Sequence, residues 1–165
     1  MDLGQYKKHI FNPAFTAMAA PYDSPEARQI CLATILHESL GLEYISQLGS
    51  GYARGFGQCE PPTYDDIWRY LSEDRPGPRA ALKMMMRVNG LIGIVPDIDR
   101  LYYDLRYQIC MVRMRYWMIP ESLPVIGDVM GVMRYWSKYY QTSQDPAKEQ
   151  TFVQNWAQQL GADLV

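Results

Sequence analysis

The sequence predicts an all-α chain, or an α chain with a minor β hairpin, and three observations carry that prediction. Apolar residues recur at three- and four-residue steps along most of its length. Helix start and stop residues bracket those stretches. A glycine-rich segment, marked by Gly41, Gly49, Gly51, Gly55 and Gly57, breaks the pattern and leaves room only for short strand pairing. With 165 residues the chain fits one domain spanning 1–165, with 1–23 as an N-terminal helical extension. It shows no internal repeat, low-complexity tract or linker.

In order along the chain, Ser24-Pro25-Glu26 gives an N-cap serine, a proline at the first helical position and an acid in the first turn. Ala27, Ile30, Cys31, Thr34, Ile35 and Glu38 then share one face of the helix that follows. Pro61-Pro62-Thr63 opens a second helix through about Leu71, carrying Ile67, Trp68 and Leu71 inward. Arg75-Pro76-Gly77-Pro78 reads as a turn. A third helix is expected from about Arg79 to Val88, ended by Asn89-Gly90. One longer helix after Pro96-Asp97 would bury Leu101, Leu105, Ile109, Val112 and Tyr116. Pro120 to Gly127 is a proline-bracketed loop, and Asp128 caps a helix reaching about Tyr140. Asp145-Pro146 starts a last helix that Gly161 stops.

Composition excludes several classes of function. Apolar residues at 48% and charged residues at 21% argue against disorder, and a formal charge of −2 gives no electrostatic case for nucleic acid. The arginines from Arg100 to Arg115 read as a solvated helix face. Cys31, Cys59 and Cys110 form no CxxC pair, so neither zinc spacing nor a disulfide framework is indicated. Cys31 and Cys110 read as small core residues, and synthesis in a reducing compartment follows. The N-terminus lacks secretory-signal character and no apolar run reaches the length of a membrane span, so membrane insertion is not expected. The 13 tyrosines and four tryptophans would mostly fill a helical core, with a few available to a carbohydrate groove.

Glu38 is the leading chemical candidate. It ends an apolar helix face and is followed by the glycine-rich segment, beyond which lie Gln58 and Glu60. An acid in an apolar wall keeps its proton nearer neutrality because desolvation disfavours the anion, as a general acid for glycoside cleavage requires. Glu60, Asp65 and Asp66 are the candidates for a second carboxylate. Asp65 and Asp66 are better explained as first-turn acids, and Glu60 as a residue that orients the glycine-rich turn. His37-Glu38 begins like a zinc-protease motif, but position 41 is Gly41 and the only other histidine is His9, so neither a metal nor another cofactor is expected. No serine sits in a nucleophile-elbow setting, and the Gly51 to Gly57 run lacks the ending of a phosphate loop.

The Glu38 to Trp68 segment resembles the lysozyme-like lytic transglycosylases, which place Glu-Ser at a helix end and then an A-x-G-x-x-Q-x-x-P-x-T run. The matching positions are Glu38-Ser39 and Ala53 through Thr63. A group of small tailed-phage proteins is similar over nearly the whole chain. It shares Gln47-Leu48-Gly49, Gln58 through Trp68, Tyr103 to Tyr107, Pro120 to Pro124, and Tyr135 to Thr142. The resemblance implies a lysozyme-like single domain that cleaves the β-1,4 bond between N-acetylmuramic acid and N-acetylglucosamine. Glu38 would act as acid/base, and Ser39, Gly55, Phe56, Gly57, Gln58, Glu60, Tyr140 and Gln141 would form the sugar cleft. The implied partners are peptidoglycan glycan strands and other phage virion proteins. The protein would be made in a host cytoplasm without a signal peptide and reach the wall in the virion or by release. Gly57 stands where the phage group carries a bulky residue, and Gln141 replaces an asparagine. Both are expected to loosen the cleft floor. A catalytically silent tail or baseplate component keeping the same fold is the alternative.

Overall fold

The computed structural model describes residues 1–49, 51–93, 95–141 and 145–159. Its helices are α1 (Leu3–Tyr6), a π-helical turn (Lys7–Phe11), α2 (Asn12–Met18), α3 (Pro25–Glu38), α4 (Pro61–Leu71), α5 (Pro76–Asn89), a 3-10 turn (Ile98–Tyr102), α6 (Leu105–Trp117), α7 (Val129–Tyr139) and α8 (Pro146–Gln159). The all-α prediction holds. Among the described residues there is no strand, only isolated bridges pairing Ser46 with Arg54 and Arg54 with Cys59. No helix among them is long and apolar enough to cross a membrane.

α3 and α6 lie at the centre. Every residue from Gln29 to Leu36 is buried, as is every residue from Tyr107 to Met114, so both helices are enclosed on nearly all sides. They join through Thr34 Oγ1 and Tyr116 Oη, 2.6 Å apart. α2, α4 and α5 pack on α6, with α5 also touching both α2 and α4, while α7 and α8 pack on each other and on α3. The segment expected as an extension supplies Tyr6, Phe11, Ala14, Phe15 and Met18 to the same core.

Start and stop chemistry explains most boundaries. Ser24 Oγ accepts from Ala27 N at 3.2 Å, Asp104 from Tyr107 N at 3.0 Å, and Asp128 from Gly131 N at 2.8 Å. Gly90 ends α5 in the left-handed conformation, φ 60° and ψ 38°. Four expectations need correction. α5 begins at Pro76, not Arg79, because first-turn N–H groups have no helical acceptor and prolines are tolerated there. The single helix after Asp97 is two elements, divided where Asp104 turns its carboxylate to the α6 N-terminus and to Arg100. Asp65 and Asp66 lie past the first turn of α4, and Asp66 pairs with Arg69 at 2.5 Å. The Arg100–Arg115 run is not a solvated face. Arg113 is 4% exposed, and its Nε–H donates to Tyr22 O at 2.7 Å. Its guanidinium stacks 5.0 Å over Trp117. The expected stop at Gly161 lies outside the described residues.

The glycine-rich segment folds back on α6. Arg54 and Cys59 exchange backbone hydrogen bonds of 3.0 and 2.9 Å, closing a turn over Gly55-Phe56-Gly57-Gln58. From α6, the buried Gln108 side chain accepts from Phe56 N at 2.9 Å and donates to Leu101 O at 2.6 Å. From α7's C-terminal end, Tyr140 Oη donates to Gly57 O at 2.6 Å. A Cβ at Gly57 would collide with Val112 Cγ2 and lie 2.9 Å from Tyr140 Oη. The glycine therefore tightens the turn against α6; it does not loosen a floor.

Gly57→Ala is expected to lower stability by about 1–3 kcal/mol through overpacking. Adding Val112→Ala should recover part of that loss. Equilibrium denaturation of the two single variants and the double variant checks the coupling, and additive effects would contradict the contact.

Candidate active-site cleft

The end of α3, the glycine-rich segment, α6, the end of α7 and the start of α8 enclose a cleft of about 400 Å³. α3 contributes His37 and Glu38, with Leu40 just beyond its end. The glycine-rich segment and the start of α4 contribute Tyr44, Ser46, Gln47, Leu48, Gln58, Cys59, Glu60 and Thr63. Arg115 comes from α6, Trp136, Tyr140 and Gln141 from the α7 end, and Lys148 and Thr151 from α8.

Glu38 is the last residue of a helix buried nearly all round, so its carboxyl has little water around it. Trp136, 1% exposed, donates its indole N–H to Glu38 Oε1 at 3.0 Å. Burial pushes the Glu38 carboxyl up to about 7. The Trp136 hydrogen bond and the Lys148 charge pull it down, and the Glu60 charge adds to the rise. Trp136 is fixed in turn by stacking on Phe152 of α8, centroids 4.7 Å apart, and by an edge contact with His37 at 4.6 Å. Asn155 Nδ2 donates to His37 Nδ1 at 3.1 Å. Burial and Lys148 lower the imidazole to about 4, so it is neutral and can accept.

Of the other residues expected in the cleft, Gln58, Glu60, Tyr140 and Gln141 line it. Gln58 has φ 46° and ties its amide nitrogen to Gly55 O at 2.8 Å, which leaves its amide oxygen for a ligand. Tyr140 is spent on Gly57, and burial pushes its hydroxyl well up. Gln141 is 8% exposed; it accepts from Ser137 Oγ at 3.3 Å and donates to Asp145 O at 3.3 Å. Its neighbour Thr142 lies outside the described residues.

Four expected residues do not face the cleft. Ser39 is fully buried; its hydroxyl donates to Ile35 O at 2.6 Å and accepts from Leu42 N at 2.8 Å, finishing the helix end. Gly55 backs onto Gln108, Phe56 is a core residue 6% exposed, and Gly57 lies against Val112. Gly55 N donates to Ile45 O at 2.8 Å, Phe56 N to Gln108, and Gly57 O accepts from Tyr140, so these backbone groups tie the turn to its neighbours.

Sequence reasoning missed Trp136, Arg115 and Lys148 as cleft residues. Trp136 is separated from Glu38 by 98 positions, and only the packing of α7 on α3 brings them together. Arg115 did carry a signal: with Gln108, Met111 and Val112 it forms an i, i+3, i+4, i+7 stripe on the face that supports the glycine turn. Among the described residues no cluster of three His, Cys, Asp or Glu could hold a metal ion.

The fold and site together define an all-α protein whose cleft holds a buried carboxyl, Glu38, among polar and aromatic side chains. Comparison with protein-family models, with curated proteins and with solved structures gives no significant match.

The folded chain holds a proton on Glu38 that the unfolded chain releases above 4.5, so the stability this group contributes is full below 4.5 and declines as pH rises to about 7. His37 works the other way, losing stability as pH falls from 6.5 to about 4. The stability difference between Glu38→Gln and the wild type should therefore grow from pH 4.5 to 7 and level off near 3 kcal/mol, on the order of the shift. Denaturant titrations across that window check it, and a flat difference would contradict the raised carboxyl. Trp136→Phe removes the donor to the anion and should raise Glu38 further, by about one unit, in a carbon-13 carboxyl titration.

Proposed function

We propose that this chain cleaves peptidoglycan glycan strands between N-acetylmuramic acid and N-acetylglucosamine, in the manner of a lytic transglycosylase with a lysozyme-like fold. The observation that carries the proposal is Glu38 in the cleft wall, held near neutrality by burial and oriented by Trp136. The motif resemblance of Glu38-Ser39 and Ala53 through Thr63 to phage-encoded enzymes of that kind supports it independently, and a virion-associated or lytic role follows from it.

In this mechanism the protonated Glu38 gives its proton to the glycosidic oxygen as the bond to the anomeric carbon breaks. The substrate's acetamido oxygen attacks that carbon from the other side. The Glu38 carboxylate then takes the proton of the sugar's 6-hydroxyl, whose oxygen closes an anhydro ring and releases the acetamido group. One carboxyl serves as acid and then base, so a pKa near 7 suits both steps. Gln58 presents its amide oxygen to a sugar hydroxyl, and Tyr140 holds the turn that positions Gln58. A muramidase would instead place a water for the second step and leave a hydrated product.

The alternative is a structural role in a virion without chemistry. The loop leading to α6 favours it by exposing Ile92 at 93%, Val95 at 49% and Tyr103 at 74%, apolar surface suited to another protein.

Incubating the purified protein with peptidoglycan and weighing the products by mass spectrometry decides among these. Anhydromuropeptides are expected, hydrated products would identify a muramidase, and absence of product would support the structural role. Glu38→Gln should lower turnover by at least about a hundredfold with unchanged circular dichroism. Turnover of the wild type should fall as pH rises above about 7, where Glu38 loses the proton it must donate.

A further inference from the structure

Arg115 differs from the other arginines. Arg28, Arg54, Arg69, Arg75, Arg79 and Arg100 form ion pairs. Arg87, Arg106 and Arg113 donate to backbone carbonyls, and Arg134 is exposed. Arg115 is half-buried on the cleft wall, yet among the described residues it makes neither a hydrogen bond nor an ion pair. It also borders the small void beneath the glycine turn, beside Cys59, Thr63 and Tyr140, so it lies low in the cleft, away from the rim. A half-buried guanidinium that has lost part of its water and gained no acceptor is better placed when a ligand supplies one.

We propose that Arg115 is a specificity-determining residue that binds a carboxylate of the glycan, namely the free lactyl carboxylate of N-acetylmuramic acid residues from which the stem peptide has been removed. Its planar fork of donors matches a carboxylate with two parallel hydrogen bonds. Its low position favours a substituent held on the sugar ring over carboxylates carried on a peptide that leaves the groove. The inference rests on the glycan-cleaving function proposed above. Glu60 and Lys148 also face the cleft and contribute one charge of each sign, while Glu38 is protonated through most of the acid range. A carboxylate therefore meets a cleft whose unbalanced charge is Arg115.

The test measures binding of the Glu38→Gln protein, whose turnover is expected to be too slow to consume the substrate during the measurement, to three glycans at low salt. They are peptide-bearing strands, amidase-stripped strands, and stripped strands whose carboxyls have been converted to amides. Stripped strands should bind about tenfold more tightly than either of the others, the worth of one charge-assisted hydrogen-bonded pair. Adding Arg115→Gln should reduce the stripped strands to the level of the amidated ones, Arg115→Lys should keep part of the preference, and Lys148→Met should leave it in place. Equal binding of stripped and amidated strands would overturn the proposal, and this comparison needs no arginine variant to fold. Equally tight binding of peptide-bearing strands would overturn the lactyl assignment in favour of a stem-peptide carboxylate. A preference lost with Lys148→Met and kept with Arg115→Gln would overturn the choice of residue. Failure to bind any of the three would remove the glycan-cleaving function itself, and this inference with it.

Discussion

A carboxylic acid can end a helix buried on all sides only if its charge is dealt with, and that constraint organises the cleft. Glu38 meets it by holding a proton to about pH 7 and by offering its anion a buried indole N–H. The second part requires α7 to place Trp136 against the end of α3. That placement in turn requires α8, because Phe152 stacks on the indole and Asn155 holds the neutral His37 at its edge. α3 and the sequence-remote pair α7 and α8 are thus tied to the ionisation of one side chain. The hydrogen bond and the burial act in opposite directions on Glu38, which leaves it poised between the two protonation states near neutral pH.

The opposite wall follows a different rule. The turn at Gly55-Phe56-Gly57-Gln58 uses its backbone hydrogen bonds inward, on Gln108, Tyr140 and its own Gln58. The side chains that this segment turns toward the cleft are those at its base, Gln58 and Glu60. Gly57 is required because α6 approaches too closely for a Cβ, and the same close approach brings Arg115 of α6 to the cleft.

Much of the fold was legible because local chemistry determines it. Ser24-Pro25, Asp128 and Gly90 act within one turn of where they stand, and the spacing of Ile67, Trp68 and Leu71 reports a buried face directly. The misplaced boundaries involve residues whose signals have two outcomes: Pro76 fits a turn or a first helical turn, and Asp104 fits a helix interior or a cap. The position of Glu38 in a cleft was legible from its apolar helix face. Its partner Trp136 was not, since no local pattern links residues 98 apart. Ser39 illustrates a further limit. A residue next to a candidate acid in a motif points some 100° away around the helix, and here that direction is the core, where its hydroxyl closes the helix end.

The arginines of α6 show how helical geometry divides a cluster that looks uniform in sequence. Arg113 and Arg115 are two residues apart, hence about 200° apart around the helix. Arg113 turns to Tyr22 and Trp117, where a carbonyl and an aromatic face receive it and burial lowers its pKa. Arg115 turns to the Glu38 cleft, where the described residues offer it no hydrogen-bonding or ion-pairing partner. A run of arginines can therefore hold one cation that completes the core and another that lines a cleft. Composition and net charge cannot separate the two, because the difference arises only when the helix is enclosed. For α6 that enclosure comes from α3 on one side and the glycine turn on another. The enclosure that raises the proton affinity of Glu38 thus also leaves Arg115, among the described residues, without an anion.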